Sequence, residues 1–247
     1  MNQKLKLALV LFFLGFTGVL SLLTTELPLP GVARELLSQL YTNGQIKGLL
    51  LVNPILFLIL GILLGIFTHK QIGLSLPVIE ALLSNKKLPY IYPLLIIGVG
   101  GGLFTGLIII LSTLFFQPFL PAEFLQIGAY FRPNMAVRLL YGGFTEEIIV
   151  RFGLMTAGIW LLFRVIKRKP TYIYWIGILF SSLLFALMHL PMVYAMIGQP
   201  SPMVFGYIML TNTMGGIVFG WLYWRKGLET AMLAHMITHV VLIVGQV

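Results

Sequence analysis

The sequence predicts an all-α, polytopic integral membrane helical bundle, and three observations lead to this fold class. Of its 247 residues, 59% are hydrophobic and only 9% are charged, whereas roughly 25% of the residues of a soluble domain are charged. The apolar residues fall into runs of about 20, the length that an α-helix needs to cross a bilayer. No run shows the strict alternation of apolar and polar residues that is typical of strands.

Seven apolar runs are predicted to span the membrane, and an irregular segment near 191–202 allows for an eighth. The runs are 5–23, 49–67, 91–116, 135–163, 172–190, 203–224 and 228–244. Glycines at four-residue spacing, as at Gly61 and Gly65, predict close packing between these helices. We expect a single membrane domain, 1–247, with its motif-bearing core at about 135–245.

The connections between the spans predict two features. Apolar residues near helical spacing at 30–40 and 76–83 predict short helices at the membrane interface.

Eleven of the 16 basic residues fall on one side of the bundle, namely Lys4, Lys6, Lys70, Lys86, Lys87, Arg164, Lys167, Arg168, Lys169, Arg225 and Lys226. Four fall on the other side, namely Arg34, Lys47, Arg132 and Arg138. The positive-inside rule therefore predicts a cytoplasmic N-terminus. This topology also explains the net charge of +9 without a nucleic acid partner, and leaves membrane lipids as the expected surroundings.

The composition restricts the chemistry that the chain performs. Cysteine is absent, which excludes disulfides, thiol catalysis and cysteine metal sites. Aspartate is absent too, so the seven acidic residues are all glutamates.

Three of the ionisable residues, Glu146, Glu147 and Arg151, lie inside the fourth predicted span, in the string FTEEIIVRFG. A charged residue at the centre of a membrane helix costs roughly 2.5–3.5 kcal/mol to insert, so such residues usually mark a functional site. Glu147 and Arg151 have the i, i+4 spacing of an ion pair along one helical face. Glu146 points about 100° away from Glu147 in an α-helix. It is therefore the carboxylate left free for acid–base chemistry.

Three of the four histidines also belong to predicted spans. His235 and His239, at i and i+4, lie on one helical face, a spacing that also lets two histidines share a metal. His189 follows Phe185 by four residues, which places the phenyl ring where it shields or orients the imidazole.

These residues form three motifs in order: EExxxR at Glu146, Glu147 and Arg151, FxxxH at Phe185 and His189, and HxxxH at His235 and His239. Together they resemble the motifs of the CPBP family of intramembrane glutamic proteases. This family includes the CAAX proteases, among them the type II CAAX prenyl endopeptidases, and the bacteriocin-processing enzymes. The resemblance covers roughly the last 110 residues.

The resemblance implies a hydrolase, an intramembrane endopeptidase that cleaves hydrophobic or lipid-modified, CAAX-like peptides with a glutamate-activated water and no cofactor. Glu146 would be the general base and His189 would bind and polarise the water. His235 and His239 would stabilise the oxyanion, although many members have Asn at the position of His239. Glu147 with Arg151 would hold the helix in place. The expected location is a prokaryotic plasma membrane.

Three alternatives stay open on the sequence. His189, His235, His239 and Glu146 have the chemistry of a zinc shell, which would make the protein an intramembrane metalloprotease. The same residues suit a proton or cation relay in a transporter, or a binding surface in a bacteriocin-immunity protein. The predicted depths of Glu146, His189 and His235 in their helices differ, so the side from which substrate enters also stays open.

Overall fold

The computed structural model describes residues 2–26, 29, 31–130 and 133–245, and every regular element in these ranges is a helix. The α-helices are α1 (Gln3–Ser21), α2 (Gly31–Leu40), α3 (Asn43–Leu50), α4 (Val52–Ile72), α5 (Pro77–Leu83), α6 (Ile91–Phe116), α7 (Ala122–Tyr130), α8 (Thr156–Ile166), α9 (Thr171–Ile197), α10 (Pro202–Lys226) and α11 (Leu228–Val244). A π-helix, Val137–Met155, follows α7 and runs directly into α8. Two short 3₁₀ turns follow α1 and α6, at Leu22–Thr24 and Gln117–Phe119.

The membrane-spanning segments agree with the predicted ones. Within the described residues, six helical segments are long and apolar enough to cross a membrane, and α11 is a shorter apolar helix. The all-α, multi-pass membrane fold is therefore confirmed. The short helices predicted at 30–40 and 76–83 correspond to α2 and α5. Of the residues used in these predictions, Pro30, Arg132 and the side chain of Arg34 lie outside the described part of the chain.

The irregular eighth segment for which the sequence allowed near 191–202 is not found among the described residues. Helix α9 continues through Pro191 and ends only at Ile197, so it has 27 residues. Proline is tolerated inside membrane helices where neighbouring groups compensate for its missing N–H. The longer helix moves His189 away from the end of the span, to a point eight residues before the last residue of α9.

The π-helix is at the centre of the bundle. It packs against α1, α4, α9 and α11, and the span that it forms with α8 is half buried, a larger share than any other span among the described residues. Neighbouring helices therefore surround its charged side chains and separate them from lipid. This position lowers the cost of placing a carboxylate and a guanidinium at membrane depth.

Glycines allow α4 to approach the π-helix closely. A Cβ added to Gly153 would lie 2.6 Å from the Cα of Gly61, and one added to Gly61 would lie 2.9 Å from the Cα of Ile149. Gly65, one turn further along α4, packs against the ring of Phe152. The contacts of Gly61 and Gly65 confirm the prediction that this pair forms a packing face.

Gly153→Ala is expected to destabilise the bundle, because its Cβ would meet backbone and not a side chain that is able to move. Overpacking of this kind costs about 1–3 kcal/mol. The matched control is Gly100→Ala, since Gly100 is in the transmembrane helix α6 and a Cβ there meets nothing within 4 Å. The midpoint of SDS-induced unfolding in mixed micelles measures both variants. Equal midpoints for the two variants would contradict the close backbone packing.

Candidate active site

The helix that carries the first motif is wider than the sequence led us to expect. We predicted an α-helix, whereas Val137–Met155 is wound as a π-helix, a form usually limited to single turns and often found at functional sites. Consistent with this winding, the Thr156 hydroxyl donates to the carbonyl oxygen of Arg151, five residues earlier, at 2.9 Å. The two glutamates nevertheless face different surroundings. The side chain of Glu147 is fully buried, and that of Glu146 is 19% exposed.

Glu147 and Arg151 form the predicted ion pair. Arg151 Nη1 lies 3.2 Å from Glu147 Oε1, and Arg151 is only 1% exposed. The guanidinium carbon also lies 4.6 Å from the ring centre of Phe185 and 5.4 Å from that of Phe219. Cation–π contacts of this kind contribute about 2 kcal/mol or more where water is excluded. The pair and the two rings together accommodate a full positive charge in the centre of the bundle.

Glu147 has a second partner that we did not predict. His235 Nδ1 lies 2.8 Å from Glu147 Oε1, the oxygen that also faces Arg151. A carboxylate paired with a guanidinium accepts hydrogen bonds and does not donate them, so the ring hydrogen is on Nδ1. In the neutral imidazole the lone pair is then on Nε2. That atom lies 3.9 Å from Glu146 Oε2.

The ring of His235 is held between two other rings. Phe219 stacks on one face at 4.6 Å between ring centres and 22° between planes, and His239 stacks at 4.9 Å and 19°. Gly142 makes room for this arrangement, because a Cβ at that position would lie 2.6 Å from His239 Nε2 and 3.5 Å from His235 Nε2. No motif in the sequence pointed to Gly142 or Phe219.

His189 is oriented by its own helix. Its Nδ1 lies 2.8 Å from the carbonyl oxygen of Phe185, and a carbonyl only accepts, so Nδ1 carries the hydrogen and Nε2 the lone pair. The Phe185 ring contacts the imidazole edge to face, with 4.7 Å between ring centres. Phe185 therefore has the orienting position that its spacing predicted. It also covers Arg151.

The predicted residues meet at one cavity of about 710 Å³. Glu146, His189, His235 and His239 all contribute to its wall, and the remaining lining is mostly apolar, with examples at Ile149, Met188, Ile208 and Leu242. Glu147 and Arg151 are not among the lining residues. The structure thus brings the four catalytic candidates to one space and places the two supporting residues behind it.

The cavity residues do not fit a metal as they are arranged. In the part of the chain that the structure describes, no three His or Glu side chains are placed to hold a metal ion together. His235 and His239 are stacked with nearly parallel planes, so their in-plane lone pairs do not converge on one point. This arrangement therefore supports no step through zinc.

The comparisons with known proteins agree with the motifs. Residues 128–241 match the family described as Rce1-like, type II CAAX prenyl endopeptidase. No curated protein and no solved structure matches the chain. The matched segment extends from α7 into α11 and contains every residue of the three motifs. The matched segment is therefore similar to the Rce1-like type II CAAX prenyl endopeptidases, membrane peptidases of the class that the motifs predicted.

Proposed function

We propose that the protein is an intramembrane endopeptidase in which Glu146 activates a water molecule for attack on a peptide bond. The observation that carries this proposal is the different placement of the two glutamates. Glu147 is engaged by Arg151 and His235, whereas Glu146 faces the cavity beside three histidines. The family match favours a peptidase over the transporter and the immunity protein that the residues alone left open.

Glu146 takes a proton from the water, and the resulting hydroxide attacks the carbonyl carbon of the peptide. His189 and His235 both line the same cavity with an Nε2 lone pair, and one of these acceptors orients the second hydrogen of the water. Collapse of the tetrahedral intermediate breaks the C–N bond, and Glu146 returns its proton to the leaving amine. A general base placed in this way contributes typically 10²–10⁴-fold to the rate.

The oxyanion needs a hydrogen-bond donor, and we assign this role to His239 alone. The resemblance implied that His235 shares it, but Nδ1 of His235 donates to Glu147, so its Nε2 accepts. Among the described residues, His239 Nδ1 is buried without a hydrogen-bond partner, so no hydrogen bond at Nδ1 fixes the tautomer of His239. Its ring is free to present an N–H to the oxyanion, an interaction worth about 2.7–4 kcal/mol in other acyl-transfer sites.

The substrate class follows from the wall of the cavity. Apart from the catalytic candidates it is lined largely by aliphatic side chains, methionines and prolines. Such a wall favours peptides with apolar or lipid-modified residues beside the scissile bond.

Glu146→Gln is expected to lower cleavage at least 100-fold without unfolding the protein, because the substitution keeps the volume and removes only the base. The assay follows a fluorogenic CAAX peptide, prenylated and unprenylated, with the purified enzyme in proteoliposomes. Glu123→Gln is the matched control, since Glu123 is exposed on α7. Wild-type activity in Glu146→Gln would refute the mechanism. Metal analysis of the same preparations tests the zinc alternative directly.

Glu147→Gln and Arg151→Met are each expected to destabilise the protein by about 3–5 kcal/mol, because each leaves a buried charge without its partner. The double variant removes both charges, so its loss of stability should be smaller than the sum of the two single losses. Its kcat should still fall by about tenfold or more, with KM little changed, since the carboxylate that fixes the tautomer of His235 is gone. Additive stability losses, or a double variant with full kcat, would contradict this role of Glu147.

A further inference from the structure

The cavity lies mainly in one half of the bundle. Most of its wall is built from residues just after α1, near the start of α4 and of the π-helix, in the last turns of α9 and α11, and in the first half of α10, and its inner end reaches the middle of the bundle at Phe219 and His235. Examples are Thr25, Pro54, Val137, Ala195, Leu242 and Tyr207. These segments all belong to the same end of the molecule.

Hydrogen bonds between helices identify the opposite end. Gln3 Nε2 at the start of α1 donates to Ser84 Oγ after α5, at 3.1 Å. The Tyr174 hydroxyl at the start of α9 donates to the carbonyl oxygen of Ile72 at the end of α4, at 2.6 Å. Trp160 Nε1 in α8 donates to Gln71 Oε1 at 2.9 Å.

At the end of the bundle that holds the cavity, other residues form hydrogen bonds between helices. Asn134 Nδ2, just before the π-helix, donates to Thr24 Oγ1 after α1, at 2.8 Å. The hydroxyl groups of Thr113 near the end of α6 and Tyr207 near the start of α10 lie 2.8 Å apart. The contacts thus assign each end of these helices to one of two faces of the bundle.

The face opposite the cavity is the strongly basic one. Its helix ends and loops hold the eleven basic residues listed above, against only two acidic ones, Glu80 and Glu229. Among the described residues, the cavity face has three basic residues, Arg34, Lys47 and Arg138, and three acidic ones, Glu26, Glu35 and Glu123. The basic face also holds all four tryptophans of the sequence, Trp160, Trp175, Trp221 and Trp224. Tryptophans concentrate where a helix bundle meets the lipid headgroups.

We infer that the cavity opens toward the outer, non-cytoplasmic side of the membrane, and that its substrates are exported or membrane-anchored peptides whose cleavage site reaches the outer leaflet. Short loops with an excess of Lys and Arg stay in the cytoplasm, so the basic face is the inner one. The cleavage of such substrates rests on the proposed function. The side of the membrane to which the cavity opens rests only on where the basic residues and the cavity lie in the bundle.

The depth of the histidines in the membrane restricts the class of substrate further. His189 precedes the end of α9 by eight residues and His239 precedes the end of α11 by five, which correspond to about 12 Å and 8 Å along the helix axes. The hydrocarbon core is about 30 Å thick. The scissile bond therefore lies within the outer half of the membrane, so the substrate is a peptide whose cleavage site is close to the outer end of an apolar segment.

The absence of cysteine from the sequence allows a direct test of the side. Thr25→Cys and Met192→Cys introduce thiols at the cavity, and Lys86→Cys introduces one on the basic face. Intact spheroplasts are treated with a membrane-impermeant maleimide, before and after permeabilisation. We expect at least tenfold more labelling of the cavity variants than of Lys86→Cys in intact spheroplasts. Cavity variants that label only after permeabilisation, with Lys86→Cys labelled before it, would overturn the inference.

Cleavage gives a second, independent readout. A membrane-impermeant fluorogenic CAAX peptide is added to the same spheroplasts, with Glu146→Gln as the inactive reference. We expect cleavage outside intact cells by the wild-type chain only. Cleavage that appears only after permeabilisation would overturn the outward-facing site and leave the endopeptidase proposal intact. Failure of the permeabilised and the purified wild-type protein to cleave would contradict the proposed function, and the labelling result still decides the side.

Discussion

The carboxylate of Glu147, shared between Arg151 and His235, is the interaction on which the rest of the site depends. One oxygen faces both partners, at 3.2 Å and 2.8 Å. Because the carboxylate is fully buried, losing either partner would leave a charge or a polar group without compensation in a medium that solvates neither. The bond fixes which nitrogen of His235 carries the hydrogen. It also engages Glu147 with protein partners, and Glu146 is the carboxylate that lines the cavity.

The fold lowers the free-energy cost of burying this shared carboxylate, because protein surrounds it. The π-helix is contacted by α1, α4, α9 and α11, and glycines let two of these neighbours come close. Gly61 meets Gly153 backbone to backbone, and Gly142 leaves room for the stacked rings of His235 and His239. Small residues therefore have two functions in this bundle. Some bring the helices together, and Gly142 makes space for the two histidine side chains.

Much of the fold and of the site was predictable from local sequence. Runs of about 20 apolar residues predicted the spans, and i, i+4 spacing predicted the Glu147–Arg151 pair and the common face of His235 and His239. The bond between Glu147 and His235 was not predictable, because it joins residues 88 positions apart and depends on how two helices are rotated. The π-helical winding and the continuation of α9 through Pro191 were missed for a related reason. Packing by neighbouring helices decides both, and the spacing of residues within one helix carries no information about that packing.

The central claim is that Glu147 holds His235 with its hydrogen on Nδ1 and its lone pair directed to the cavity. ¹⁵N NMR of histidine-labelled protein in lipid bilayers measures this directly, with the His235 signals assigned by their loss in His235→Asn. We predict a protonated Nδ1 and an unprotonated Nε2 for His235 in the wild type. A His235 ring protonated on Nε2 and unprotonated on Nδ1 would contradict the account.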